Sequence, residues 1–326
     1  MLTTIIVSYS KRKPGYFQDC TFANMKRAFL QLHVAVFLAG FTAILGKLIT
    51  LEAGILVWYR MLITFITLAI MVYFSKNFVR LSLSSSFKIF GVGTLVALHW
   101  VAFYASVKFS NVSVSLTCLS AIGFFTAIIE PLIQRRRIDL YELLLGLFAI
   151  AGIYLIFDFH PQYKLGILFG LIAALLASIF PVLNKNLLHT FSPRTVTLYE
   201  MFGGWLALTI ILPFYFMKIP PVNYLPTLAD WGWLLVLGWV CTVFTFILQL
   251  QALKKISSFT SNLTYNLEPV YGILLGFIIF QENKYLKSGF YLGLALILIA
   301  VVLQMLRERM LATKTKRSEK TQIEIL

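Results

Sequence analysis

Ten runs of about twenty apolar residues follow one another along the chain, at about 28–49, 54–74, 89–107, 113–133, 139–157, 165–185, 196–217, 231–251, 258–280 and 286–306. Crossing the hydrocarbon core of a bilayer takes about 20 such residues per helix. In lipid every backbone polar group must find its partner within the chain, and runs this long are not barrel strands. The sequence therefore predicts an all-α integral membrane protein with ten transmembrane helices. Composition agrees: 59% of the 326 residues are hydrophobic and 13% charged, unlike a soluble globular domain. Nothing is left over for a second, soluble domain.

A net charge of +15 would suit a nucleic-acid binder, but the placement of the basic residues argues otherwise. With the N-terminus on the cytoplasmic side, the tails and even-numbered loops hold 21 of the 28 Lys and Arg, among them Arg135 to Arg137, Lys254, Lys255 and the tail from Arg307 to Lys320. The opposite loops hold Lys108, Lys164, Lys218, Lys284 and Lys287. This is the positive-inside pattern, and it predicts a multi-pass protein of the cell (inner) membrane with both termini cytoplasmic and no nucleic-acid partner. Cys20, Cys118 and Cys241 fit neither metal nor disulfide spacing, and no cofactor is called for. Residues 1–24 lack the apolar core of a cleavable signal, and Met25-Lys26-Arg27 directly precedes the first run, so these residues are read as an upstream extension.

Sliding the chain by 147 residues aligns Ala105 with Ala252, Lys108 with Lys255, Leu116 with Leu263, Thr117 with Thr264, and Leu145-Gly146-Leu147 with Leu292-Gly293-Leu294. Nearer the N-terminus the shift shortens, and Tyr59-Arg60-Met61 meets Tyr199-Glu200-Met201. The chain then divides into a cytoplasmic tail (1–27), a first five-helix repeat (28–160), a second (161–306) and a basic cytoplasmic tail (307–326). Five is odd, so the second repeat enters the membrane inverted relative to the first. Inverted repeats build transporters with a substrate site near the midplane and alternating access by rocking of the halves.

The stretch NLEPVYGILLGFIIFQE, followed by a polar turn and GFYLGLALILIAVVL, resembles the end of the second repeat in EamA-type members of the drug/metabolite transporter superfamily. ELLLGLFAIAGIYLIF resembles the matching end of the first. The resemblance implies a ten-helix, five-plus-five carrier with Glu268 at the central cavity. It also shows two departures: the family's proline position in the first half is Ile122, and the residue matching Glu282 is Arg135.

Within this frame the polar residues at mid-depth are candidate ligands for a small-molecule substrate. An ionised Glu268 at the bilayer centre costs roughly 2.5–3.5 kcal/mol and needs a cavity, a partner or a proton. Ser261, Tyr265, Glu268 and Gly272 fall on one helical stripe, flanked by Asn262 and Asn266, and Pro269 predicts a bend there. Trp100 and Tyr104 share one face of the third run with His99 beside them; an organic substrate can be enclosed by such rings, and His99 is a candidate proton relay. The bland readings are aromatic packing and a satisfied histidine. Arg60 is expected to snorkel outward, its alternative being the fork that grips a substrate carboxylate. Gln249, Gln251, Asn184 and His33 are secondary candidates, Gly40 and Gly272 mark close helix packing, and Glu130 is expected to pair at the interface with Arg135 to Arg137.

These features predict a secondary carrier for a small organic metabolite, an amino acid or similar, working as a gradient-coupled exporter or exchanger with a proton as candidate coupling ion. No Walker A loop is present to use ATP. The alternative is an integral-membrane enzyme acting on a lipid-type substrate, against which stands the lack of HExxH or paired acidic motifs. A channel would instead show rings of polar residues along a continuous pore.

Overall fold

A computed structural model describes residues 15–325 except 77–78, 136, 160, 189, 218–219, 246, 249–251, 253–263 and 265–266. Residues 15–26, 157–159, 161, 185, 304–305, 308–309 and 311–325 are described in backbone only. The helices are α1 (Gly15–Leu48), α2 (Ala53–Phe74), α3 (Leu83–Phe109), α4 (Val112–Leu119), α5 (Ile122–Gln134), α6 (Leu140–Phe159), α7 (Lys164–Leu188), α8 (Pro193–Phe216), α9 (Leu228–Leu235), α10 (Glu268–Phe280) and α11 (Ser288–Ile325). α9 runs on into a π-helical segment, Val236–Phe244. Among the described residues six helical stretches are long and apolar enough to cross a membrane, and four shorter ones are equally apolar: Leu140–Ile156, Leu228–Phe244, Glu268–Phe280 and Ser288–Leu303.

The helices start where short polar side chains stop the chain from continuing. Ser82, Asn111, Ser192 and Thr227 each accept a hydrogen bond from the backbone N–H three residues on, which satisfies one of the donors a helix start leaves open. α1 and α11 both exceed the expected runs, beginning at Gly15 and ending at Ile325, because the basic segment after 306 is rich in strong helix formers.

Two expectations are corrected. The fourth run is not one continuous helix: it breaks at Ser120 and Ala121, between α4 and α5. Pro269 does not kink a helix interior either. It stands in the first turn of α10, where its missing N–H is one of the unpaired donors anyway and its fixed φ suits the helix. The two features match across the repeat. α5 and α10 are each 13 residues long. Each follows a tightened turn, Ser120 N–H to Thr117 carbonyl and Leu267 N–H to Thr264 carbonyl, both 3.0 Å. Each ends on a left-handed residue at φ 53°, Arg135 and Gln281.

The turns gather at two ends. At one, Asp230 accepts from Thr50 N and Thr50 Oγ1, both at 2.7 Å, and Lys108 Nζ donates to the Ile49 carbonyl at 2.9 Å. Glu282 reaches across from the far side of α10 to the start of α4, accepting from Val112 N (3.0 Å), Ser113 N (2.8 Å) and Ser113 Oγ (2.6 Å), with Lys47 Nζ at 3.5 Å. At the other end Lys76 and Val79 share with Ser192, Arg194 and Tyr199 the lining of a cavity of about 530 Å³, and Arg307 binds Asp139 and Glu142, the latter at 3.3 Å.

Between the ends, bare backbone lets helices touch. A Cβ on Gly93 would lie 2.2 Å from the Glu200 carbonyl oxygen, fixing α3 against α8. One on Gly40 would lie 3.0 Å from the Glu268 carbonyl oxygen and from Gly272 N, so α1 crosses α10 at its first turn. Small residues at the crossing are what membrane helices use to approach closely. The outward sides stay apolar, with Ile70, Phe148, Phe214 and Ile278 all exposed, a surface that only lipid matches.

Candidate functional site

Four elements converge on Arg60. Its helix, α2, buries it to 4% exposure, and the guanidinium turns inward, which overturns the expected outward reach. Burying a guanidinium is costly unless its hydrogen bonds and charge are met. Here Nη1 donates to Tyr104 Oη at 2.7 Å and Nε to Thr242 Oγ1 at 3.2 Å. Its Cζ lies 3.7 Å from the centre of the Trp100 ring and 5.8 Å from that of Tyr104, close enough for the ring faces to stabilise the cation. Trp100 and Tyr104 sit four residues apart on α3, so one helical face presents both.

Thr242 comes from the π-helical segment. The wider turn lets its hydroxyl donate to the Leu237 carbonyl five residues back, at 2.7 Å, so the oxygen is oriented to accept from Arg60. Single π-helical turns in otherwise regular helices often mark functional positions. Thr242 escaped the sequence reading because VLGWVCTVF is almost wholly apolar around it, and Gly238 alone does not announce a change of pitch.

Glu268 opens α10 and lies within Coulombic range of both Arg60 and Tyr104. Its place in the first helical turn suits a carboxylate, since the helix dipole is positive there. Among the described residues no carboxylate comes within ion-pairing distance of Arg60, and Glu268 is only half-buried. A buried guanidinium and a carboxylate thus lie within electrostatic reach of one another without forming a direct ion pair.

His99 also lies within Coulombic range of Arg60, but its ring is engaged by another helix. Its Nδ1 meets the Ala173 carbonyl of α7 at 2.8 Å, and its ring lies between Phe103 and Phe180, which is the satisfied packing histidine of the bland reading. Asn184 sits against Glu200, and Tyr271 Oη is 3.5 Å from His33 Nδ1. Gln249, Gln251, Ser261, Asn262, Tyr265 and Asn266 lie outside the described residues. Of the candidates, then, Arg60, Trp100 and Tyr104 come into direct contact, and Glu268 and His99 stand in electrostatic reach of Arg60.

Comparison with known proteins agrees with this architecture. An uncharacterized transporter of Archaeoglobus fulgidus is 27% identical over 168 residues, 52% of this chain and 58% of that protein; the chain thus spans little more than half the length of this relative. The uncharacterized transporter YetK of Bacillus subtilis is 23% identical over 310 residues, 90% of this chain and 91% of its own. A solved crystal structure shares the fold, with a TM-score of 0.58 at 15% identity, covering 86% of this chain and 98% of that one. The profile of the EamA-like transporter family matches twice, over residues 26–158 and 164–306. The chain belongs to the EamA-like transporter family, of the drug/metabolite transporter superfamily, and is a membrane transporter, not an enzyme.

Proposed function

We propose that this protein is a secondary carrier that moves a small organic metabolite, an amino acid or a close analogue, across the cell (inner) membrane by alternating access, as a gradient-coupled exporter or exchanger. The reading takes the ten apolar stretches as ten spans in two inverted five-helix repeats with both termini cytoplasmic. The matched breaks before α5 and α10 and the gathering of the 49–52, 110–111, 226–230 and 281–287 regions at one end support it.

The observation that carries the substrate class is the pairing of a buried, oriented guanidinium with a separate carboxylate. Arg60, held over the Trp100 ring, offers its remaining N–H groups to a carboxylate. Tyr104 accepts from Arg60 and keeps its own O–H to donate, while Glu268 offers acceptors to an ammonium group. A zwitterion satisfies both charges at once. Counterflow of labelled amino acids in proteoliposomes tests this: exchange is expected in the wild type, and is lost in Arg60→Gln. Glu268→Gln is expected to abolish gradient-driven uptake in a protein that still folds. Full pH-dependent uptake by Glu268→Gln would remove that residue from the mechanism, and exchange that survives Arg60→Gln would remove the carboxylate fork.

A further inference from the structure

The cavity of about 530 Å³ between the end of α2 and the start of α8 shares no residue with the Arg60 region, and its size is that of a small-molecule site. Val72 and Leu198, both buried, make its floor, and Lys76 and Arg194, both exposed, stand at its rim. Ser192 and Thr195 join the lining from the α8 side. Their hydroxyls share one hydrogen bond at 2.9 Å, so one of the two O–H groups is left to donate.

Charge at this place is one-sided. The two chain segments that meet there, 75–90 and 186–199, carry Lys76, Arg80, Lys88 and Arg194 and not one Asp or Glu. Among the described residues none of the four enters an ion pair. Arg194 also stands in the first turn of α8, the positive end of the helix dipole, where a cation is unfavourable and an anion beside it brings relief. The surface next to the cavity is of another kind. Tyr73 and Phe74 close α2, Leu83 and Phe87 lie in the first turns of α3, and all four are largely exposed. Aromatic and aliphatic side chains at the end of an apolar run match acyl chains and the headgroup boundary. Cations at the rim with lipid-facing rings beside them are the surroundings that an anionic lipid needs.

We propose that this cavity binds the phosphate headgroup of an anionic phospholipid, with Lys76 and Arg194 on its charge, the Ser192–Thr195 pair donating to a phosphate oxygen, and the acyl chains lying outside along α2 and α3. A zwitterionic headgroup brings its own cation and gains less from two more. Lys76 follows α2 in the first family-matched segment and Arg194 opens α8 in the second, so one headgroup bridges the two halves. It adds to the direct link already there, in which Tyr199 Oη donates to the Val79 carbonyl at 3.2 Å, and favours the conformation that keeps this end together. The binding site does not rest on the carrier reading given above.

Thermal melting of the full chain in a neutral detergent, titrated with dihexanoyl phosphatidylglycerol, dihexanoyl phosphatidylcholine or inorganic phosphate, tests the site through ligand-linked stabilisation. The wild type is expected to melt higher with phosphatidylglycerol than with either of the others. The cavity variant combines Arg194→Gln with Lys76→Asn, since asparagine tolerates the left-handed φ of 53° at position 76. At about fivefold per basic residue facing an anionic lipid, it is expected to need about 25 times more phosphatidylglycerol for the same shift. Arg80→Gln with Lys88→Gln removes equal charge from residues outside the lining and is expected to keep most of the shift. If the cavity variant does not fold, Arg194→Gln alone reads the same site, with about a fivefold loss expected. A shift that survives in the cavity variant, or that falls as far in the Arg80 and Lys88 variant, overturns the site. An equal shift from inorganic phosphate or from phosphatidylcholine overturns the anionic lipid as its occupant.

Discussion

Removing the Glu282 carboxylate should loosen the end of the bundle where four turns meet. Glu282 is 4% exposed and accepts three hydrogen bonds from the first two residues of α4. Asn111 covers the next donor, Val114 N, at 2.8 Å, so the start of α4 depends on these two side chains. Glu282→Ala strands the Val112 and Ser113 N–H groups in a buried place, at about 1–3 kcal/mol each. Some relief from water entering the gap brings the expected loss to about 2–4 kcal/mol. Glu282→Gln keeps one acceptor oxygen but turns an NH2 toward backbone donors, and should lose about half as much. Lys47 is a weaker partner: its side chain is 35% exposed and 3.5 Å away, so Lys47→Met should cost no more than about 1 kcal/mol. Thermal melts in detergent, followed by tryptophan fluorescence, read the series. At about 2–4 °C per kcal/mol for a large domain, Glu282→Ala should melt roughly 5–15 °C below wild type. A Glu282→Ala protein that melts with the wild type, or a Lys47→Met protein that falls further than Glu282→Ala, would show that α4 is not held by this cap.

Two further outcomes follow from the packing and from the opposite end. Gly93→Ala would place a Cβ 2.2 Å from the Glu200 carbonyl oxygen, so α3 and α8 must separate, and a loss of about 1–3 kcal/mol is expected. Gly91→Ala, on the same helix but with nothing within 4 Å of its Cβ, should stabilise by up to about 1 kcal/mol through helix propensity; equal melting shifts for the two would refute the contact. At the other end, burial works to raise the Asp139 pKa, but hydrogen bonds from Arg307 and from the N–H groups of Tyr141 and Glu142 outweigh it and hold the carboxyl below its ordinary value. A group depressed in the folded state stabilises above its unfolded pKa, near 4, and that contribution fades as pH falls through the folded value. Asp139 is 40% exposed, so Asp139→Asn should cost at most about 1 kcal/mol at pH 7. The difference from wild type should shrink as pH falls below the unfolded value and the folded carboxyl takes up its proton; a gap that widens on acidification would contradict the sign.

What the sequence disclosed and what it withheld divide along one physical line. Apolar length and the asymmetry of Lys and Arg are properties of whole segments, and from them the helical membrane class and the two repeats were legible. Trp100 and Tyr104 were readable as mid-depth aromatic residues and Arg60 as a charge below the membrane surface, but that they touch depends on α2 and α3 meeting at a particular rotation. Pro269 flagged the start of α10, although as a helix start and not as a kink. The break after Leu119 carried no such flag, since Ile122 stands where the second half has proline. Glu282 stood only at the end of the stretch that carries the family resemblance, and its target on α4, about 170 positions away in sequence, is set by tertiary packing alone. Arg60 was misjudged for a related reason: an arginine near a helix end reaches lipid headgroups unless something inside holds it better, and Thr242 and the Trp100 face were not visible as that something.

The repeat explains why the charged groups differ between halves. Ala121 in the first half and Glu268 in the second flank the same kind of interruption, and Arg60 and Glu200 stand at matched positions with opposite sign. A duplicated frame supplies two helix breaks at corresponding places, but the single central site of the proposed carrier would need one guanidinium and one carboxylate, not two of each. Two copies of Arg60 facing one chamber would repel, and two copies of Glu268 would each need a separate cation or proton. Divergence at these positions therefore lowers the cost of burying charge while the backbone interruptions are kept. On this argument Ala121→Glu, which restores the acid to the first half, should weaken exchange of a zwitterion, since a second carboxylate near the chamber competes for Arg60; Ala121→Gln, with the same size and no charge, should not. Equal exchange by the two variants, measured by counterflow at matched protein content, would show that position 121 does not face the site.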